Sequence, residues 1–174
     1  MIKKLALGAF SLFCLMSLAA CGQSPDVTAN AKGNKIGEET IKIGVNMELS
    51  GAVAAYGTAE YNGIKLAVKE INSNGGVDGK MIELVAKDNK SEIAEASTTA
   101  TNLAVQSQVT TIIGPATSGA TAASSLESQK TGVPLLTPSG TQDDLTVNKD
   151  GSTKEFVFRT TFKDSFQGQV LAQF

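Results

Sequence analysis

The sequence has no histidine, two cysteines, and aromatic side chains at only 5% of its positions. Without histidine, the commonest general base and the usual zinc ligand are both missing. No Ser-His or Cys-His nucleophile pair can be assembled. A Gly-x-Ser-x-Gly segment is absent as well, which excludes the hydrolase elbow. Glu48 and Asp88 are acidic and lie near strand ends, but nothing marks them as a paired acid and base, and no carboxylate cluster points to a metal. There is no Lys/Arg run of the kind that nucleic acid or an acidic lipid surface would require. These absences point away from an enzyme, a cofactor, a metal site and a nucleic-acid partner. With so few aromatics, the core has to be built from Ile, Leu, Val and Ala.

What is present begins with an export signal over residues 1–20. Lys3 and Lys4 form a charged start, and an apolar stretch follows from Leu5 to Ala20. Gly8, Ser11 and Ser17 interrupt that stretch, and it is shorter than the roughly 20 mostly apolar residues of a spanning helix. Leu18-Ala19-Ala20-Cys21 resembles a bacterial lipobox. That resemblance implies cleavage before Cys21 and a diacylglycerol on its sulfur; the alternatives are an uncleaved anchor, or ordinary cleavage that leaves a free thiol. Two acyl chains hold a protein stably where one is marginal. Cys14 would leave with the signal, so the mature chain would contain no free thiol, disulfide or cysteine-based metal site. Loss of Lys3 and Lys4, with no acid, takes the formal charge from −2 to −4.

Beyond Cys21, residues 22–40 are rich in Gln, Ser, Pro, Asp, Asn, Lys and Gly and nearly free of apolar side chains. This is the composition of a flexible tether, with a reach of about 23 Å. The remaining body, residues 41–174, has the size of one ordinary domain. Its patterns alternate. Residues 41–47 alternate as a strand, and a Gly-rich loop, 50–57, leads to a helix with Tyr61, Ile64, Val68 and Ile71 on one face beside Ala67. That helix stops at Asn74-Gly75-Gly76. Ile82, Leu84 and Ala86 alternate with Glu83, Val85 and Lys87 in a second strand near a sheet edge. Asn89 and Glu92 have capping-box spacing ahead of a helical face formed by Ile93, Ala96, Ala100 and Leu103. Strands over 109–113, 133–137 and 156–159 follow, with a helix from Ser118 to about Lys130 ending at Gly132. Pro134 has to sit at the start of its strand or on a free edge. Asp164 and Gln167 again have capping-box spacing, opening a helix through Val170, Leu171 and Phe174. Five strands separated by helices imply an α/β fold with a doubly wound parallel sheet.

In such a sheet ligands bind beyond the carboxyl ends of the strands, where strand order switches. Four polar, glycine-rich segments follow strands and should share that edge: 50–57, 114–119, 137–141 and 160–164. Gly114-Pro115-Ala116-Thr117-Ser118-Gly119 runs from a strand into a helix amino terminus, a setting that favours an anion. Small residues allow close approach, and the Thr117 and Ser118 hydroxyls add donors. The segment lacks the ending of a phosphate-binding P-loop and the spacing of a dinucleotide fingerprint, so a carboxylate fits better than a polyphosphate. Ser118 either serves that ligand or caps its own helix. Thr137-Pro138-Ser139-Gly140-Thr141 is either a second half-site, for an ammonium and a carboxylate, or a plain turn. Tyr56 either lines an apolar pocket or packs; Asp164 either caps a helix or meets the ligand.

Taken in order, Leu49-Ser50-Gly51, Tyr56-Gly57, Ala67 through Gly79, Ile113-Gly114-Pro115 with Ser118, Thr137 to Thr141, and Arg159-Thr160-Thr161 with Asp164 and Gln167-Gly168 resemble the amino-terminal part of one family. It is the branched-chain amino-acid (Leu/Ile/Val) substrate-binding proteins of ABC importers, within the type I periplasmic-binding-protein group. The resemblance implies a lobe of a two-lobed trap that closes on its ligand. It implies that Ser118 and Thr141 donate to the ligand α-carboxylate, that the Ser139 carbonyl, joined by the Thr141 hydroxyl, takes the α-ammonium, and that Tyr56 lines the side-chain pocket. Asp164 lies near the crossing to the second lobe. The partners implied are a small amino acid and a membrane permease, with the protein monomeric, lipid-anchored outside the cytoplasm. Members of that family run on for about as long again, so the second lobe is expected to be missing from this chain, and one lobe alone is expected to bind leucine-like ligands weakly. A ligand-sensing domain of the same fold, signalling to a partner, is the alternative; the lipobox and tether favour transport. The side-chain pocket leaves the ligand open, since related binders take amides, urea or aromatic acids.

Overall fold

The computed structural model describes residues 33–174. The expected signal peptide, the lipidation site at Cys21 and the first part of the tether lie outside the described residues. Along the chain come β1 (Thr40–Met47), α1 (Ala54–Ser73), β2 (Met81–Asp88) and α2 (Ile93–Thr101), which widens into a π-helical turn over Asn102–Gln106. β3 (Thr111–Ile113), α3 (Ser118–Thr131), β4 (Leu135–Thr137), β5 (Val157–Arg159) and α4 (Asp164–Leu171) follow. Every neighbouring pair of strands is parallel, and the order is β2-β1-β3-β4-β5. This is the doubly wound sheet expected from the alternating patterns. β2 is an edge strand. The chain moves outward from β1 to β2, then returns to β3 on the other side of β1, so the switch in strand order lies between β1 and β3.

The two-residue period of β1 sends alternate side chains to two helical layers. Val45 and Met47 are fully buried and pack with Ala116, Tyr61 and Ile64 on the α1 side. Gly44 faces the other way, where Leu103 and Val109 fill the space a side chain would occupy. Those two belong to the larger core cluster, with Ala100, Ile112, Val133, Leu135 and Val157. Asn46 shares that second face and is fully buried. Its amide donates to the Ala96 carbonyl at 2.9 Å and the Ser124 hydroxyl at 3.1 Å, and its oxygen accepts from the Asn89 amide at 3.1 Å. A buried polar group needs such partners; these join β1 to α2 and α3.

Several expectations shift. Asn89 and Glu92 do not form a capping box. Glu92 itself is the N-cap and makes no side-chain cap bond; the Asn89 side-chain oxygen accepts from Ser91 N–H instead, and Lys90 and Ser91 turn with positive φ before the helix begins. Asp164 is the first residue of α4 rather than its cap, Lys163 holds the cap position, and the helix ends at Leu171, short of Phe174. Ile93, expected on the buried face of α2, is 59% exposed. On β2, Val85 packs against the core while Ala86 is exposed, since helices cover both sides of the sheet and alternation no longer selects one. The last three strands are three residues long each, shorter than expected. Pro134 sits just ahead of β4, where its carbonyl accepts from Ile112 N–H and its missing N–H costs no ladder bond. The body also begins before residue 40: Gly33 N–H bonds to the Thr131 carbonyl, and the Asn34 amide bonds to the Ala104 and Val109 carbonyls.

Leu103 has no exposed surface, whereas Leu66 on α1 is 59% exposed. Leu103→Ala is expected to lower unfolding free energy in urea by about 2–5 kcal/mol, and Leu66→Ala by no more than about 0.5 kcal/mol.

Candidate functional site

The edge of the sheet at the switch point is organised by a carboxylate belonging to the chain itself. Glu48 follows β1 directly and is fully buried. One of its oxygens accepts from Ala116 N–H at 3.0 Å; the other accepts from Thr117 N–H at 3.1 Å and from the Thr117 hydroxyl at 2.7 Å. Thr117 is the N-cap of α3. A carboxylate of the chain itself therefore lies at the start of this helix, on the N–H groups of the cap residue and of the residue before it. The Thr117 hydroxyl, expected as a ligand donor, is committed to Glu48. Two glycines allow the arrangement. Gly114 has φ +98, and a side chain there would strike the Asn46 carbonyl; one at Gly57 would strike the Glu48 main chain. Gly57 thus lets the first turn of α1 rest directly on Glu48. That turn carries Tyr56, which is on the helix rather than in a loop and is 67% exposed.

Ser118 does not cap its own helix. Its Oγ accepts from the N–H groups of Thr141 and Gln142, both at 3.2 Å. The 137–141 segment is more than a turn, because it is lashed to the α3 loop. Thr137 Oγ1 donates to the Pro115 carbonyl at 2.8 Å and accepts from Gly140 N–H at 3.0 Å. Ser139 Oγ lies 2.8 Å from the Ala116 carbonyl and also against Glu60 Oε1 on α1. From the far side, Asp164 N–H donates to the Thr141 carbonyl at 3.0 Å, and Thr160 donates to the Pro138 carbonyl at 3.0 Å through its hydroxyl. The Arg159 guanidinium reaches the carbonyls of Gln142 at 2.9 Å and Asp143 at 3.0 Å. The carboxyl group of Asp164 belongs to an exposed residue in the first turn of α4. Ser118, Ser139 and Thr141 are brought together, with Tyr56 one helical turn before Glu60.

Residues 40–174 match the periplasmic binding protein family model. The chain belongs to the periplasmic binding protein family. Among its relatives, the Leu/Ile/Val-binding protein BraC3 of Rhizobium johnstonii is 37% identical over 134 residues, covering 77% of this chain and 35% of that protein. Among solved structures, the branched-chain amino acid transporter substrate binding protein LivJ of Streptococcus pneumoniae, in complex with isoleucine, is 57% identical with a TM-score of 0.72; the match covers 78% of this chain and 37% of that one. The leucine binding protein LivK of Thermotoga maritima is 32% identical with a TM-score of 0.69, covering 76% and 36%. The chain thus spans about a third of the length of the proteins it matches. These relatives are binding proteins. No helix among the described residues is long and apolar enough to cross a membrane.

In this member of the family, three residues of the site escaped sequence reasoning. Glu48 was weighed only as half of an acid–base pair; its place straight after a buried strand was the usable signal. Glu60 lies four residues after Tyr56, hence on the same helical face. Arg159 entered only as part of the resemblance. Electrostatically, Asp88 and Glu60 move in opposite directions. Burial pushes Asp88 up, but the Ser50 hydroxyl and the N–H groups of Lys90, Leu49 and Ser50 together outweigh it and hold the carboxyl below its ordinary value. Burial raises Glu60, the bond to Ser139 lowers it, the Glu48 charge raises it, and the net is upward.

A carboxyl depressed on folding stabilises above its unfolded value, about 3.9 for Asp, and that contribution is lost as pH falls through the lower folded value. Thermal melts of Asp88→Asn between about pH 2 and 5 should show a flatter acid limb than the parent protein. Glu48→Gln, which removes the charge but keeps the shape, should cost about 1.5–3 kcal/mol in denaturant unfolding; a neutral result would mean the α3 terminus does not depend on this anion.

Proposed function

We propose that this chain is an extracytoplasmic, lipid-anchored substrate-binding protein that captures branched-chain or similar amino acids for an ABC importer, as a monomer and without catalysis or cofactor. The Ser118 hydroxyl carries this reading. A hydroxyl has two lone pairs and one hydrogen. Both lone pairs are met by main-chain N–H groups of the 141–142 segment, so what Ser118 has left to offer is a donor. Thr141, whose N–H bonds to Ser118, brings a second hydroxyl to this segment, and with Glu48 at the start of α3 the pair suits the carboxylate of a free amino acid. The Ser139 carbonyl, on an exposed rim residue, accepts from the α-ammonium, and Thr141 serves as a second acceptor. Tyr56 covers the side-chain pocket. Thr117 contributes through Glu48, and Asp164 through the N–H that holds Thr141.

The likeness to an isoleucine-bound protein at 57% identity supports this choice of ligand class over aromatic acids or amides. For the anchor, the support is the lipobox-like sequence ending in Cys21. The proposed tether, read from composition, lies between that cysteine and the body.

Amide NMR on the 174-residue chain tests the site even where affinity is low. Leucine should shift the Ser118, Thr141 and Gln142 resonances, whereas leucinamide, which lacks the carboxylate, should leave them in place. Ser118→Ala should weaken leucine binding by about 1.5–3 kcal/mol. Equal shifts from leucine and leucinamide would refute the carboxylate assignment. Separately, radiolabelled palmitate fed to expressing bacteria should label the protein, and Cys21→Ser should abolish the label; labelling that survives the substitution would place the lipid elsewhere.

A further inference from the structure

Glu60 stands in the middle of the site with an unusual hydrogen inventory. Ser139 Oγ touches two oxygens, the Ala116 carbonyl at 2.8 Å and Glu60 Oε1. Ser139 has one hydroxyl hydrogen, and a carbonyl can only accept. If Glu60 were ionised, three oxygens in a row would share a single hydrogen, and one contact would be acceptor against acceptor. A proton on Glu60 resolves this. The carboxylic acid donates to Ser139, and Ser139 donates to Ala116. The other oxygen of Glu60 points the same way: Oε2 is buried and has no hydrogen-bond partner among the described residues. A buried carboxylate oxygen without a donor is costly, whereas the carbonyl oxygen of a neutral acid costs far less.

We infer that Glu60 is a positioning residue of the ligand site that works as a neutral hydrogen-bond donor, closing a chain from Glu60 through Ser139 to the Ala116 carbonyl. This rests on the amino-acid site proposed above and adds a control to it. The Ala116 peptide is gripped at both ends, its N–H by Glu48 and its carbonyl by Ser139. Ser118 is two residues on, and Ser139 carries the carbonyl assigned to the ligand ammonium. Loss of the Glu60 proton leaves Ser139 with one hydrogen for two acceptors, so either its contact with Glu60 or its bond to the Ala116 carbonyl is lost, and the segment that carries both the ammonium acceptor and Thr141 is held by one tie fewer. Burial and the negative charge of Glu48 favour the protonated form, against the opposing effect of the Ser139 bond. The charged group acting on Glu60 is Glu48, just after β1; the 137–141 segment meets it with the Ser139 hydroxyl, and Tyr56 is on its own helix. The consequence is a site whose affinity falls as Glu60 ionises.

Carboxyl-carbon NMR of protein labelled in its glutamate side chains, with Glu60→Gln to assign the signal, reads the proton without any ligand. Glu60 is expected to titrate above the ordinary glutamate value of about 4.3, with the Ser139 amide shifting in step. Titration at or below that value overturns the inference. The leucine-induced shifts at Ser118 and Thr141, followed against pH, form the second arm. Wild-type affinity should fall about tenfold as Glu60 ionises, a change of about 1.4 kcal/mol. Glu60→Gln, whose amide still donates to Ser139, should bind like protonated wild type and lose this pH dependence, while Glu60→Ala binds weakly throughout. If Gln behaves like Ala, the neutral-donor role is wrong. If leucine shifts nothing in the wild type, the amino-acid site fails, while the carboxyl titration still decides the state of Glu60.

Discussion

Everything at the carboxyl edge of this sheet hangs on one buried carboxylate. Glu48 sits just beyond the end of β1 and takes two main-chain N–H groups and a hydroxyl at the start of α3. Such charge-assisted bonds are shorter and stronger than neutral ones, and this one is out of contact with water. It fixes where the helix begins, and therefore where Ser118 points. It also places a negative charge of the chain itself at the start of α3, beside the hydroxyls proposed to receive a ligand carboxylate. Gly57 and Gly114 are the geometric conditions for this, since each lets backbone come close to β1 where any side chain would collide.

From that fixed point the site is assembled by side chains of small reach. Thr137, Ser139 and Ser118 tie the 137–142 segment to the α3 loop. Arg159 and the N–H of Asp164 hold it from the other side. Asp88 does the equivalent for the segment after Glu48 through Leu49 and Ser50. The result is a rim in which few polar groups remain uncommitted. Preorganisation of this kind lowers the ordering cost of binding, and it suits a domain whose relatives bind small amino acids.

Much of this was legible in the sequence, for identifiable reasons. The alternation in β1, the helical face of α1 and the glycine stops set the fold, because backbone periodicity and turn chemistry are local properties. Ser118, Ser139 and Thr141 could be located because polar residues just after strands in a parallel sheet must converge. The fates of particular hydrogen bonds were not legible. Asn89 and Glu92 had the spacing of a capping box, but spacing cannot reveal that Lys90 and Ser91 turn left-handed between them, or that the Asn89 amide bonds to Asn46, 43 residues earlier. Thr117 looked like a free donor because nothing local shows that Glu48, 69 residues away, lies against it. Nothing local marks Glu60 off from a solvated helix glutamate, since its partner Ser139 lies 79 residues on. Local pattern gave the scaffold; long-range pairing decided which polar groups were still available to a ligand.

The central claim is that a ligand carboxylate is received by hydroxyls beside an internally occupied helix terminus. A structure determined with leucine bound tests this most directly. The expected result has the leucine carboxylate within hydrogen-bond distance of the Ser118 and Thr141 hydroxyls, with Glu48 still holding the N–H groups of Ala116 and Thr117. A leucine carboxylate seated on those two N–H groups, with Glu48 displaced, would contradict it.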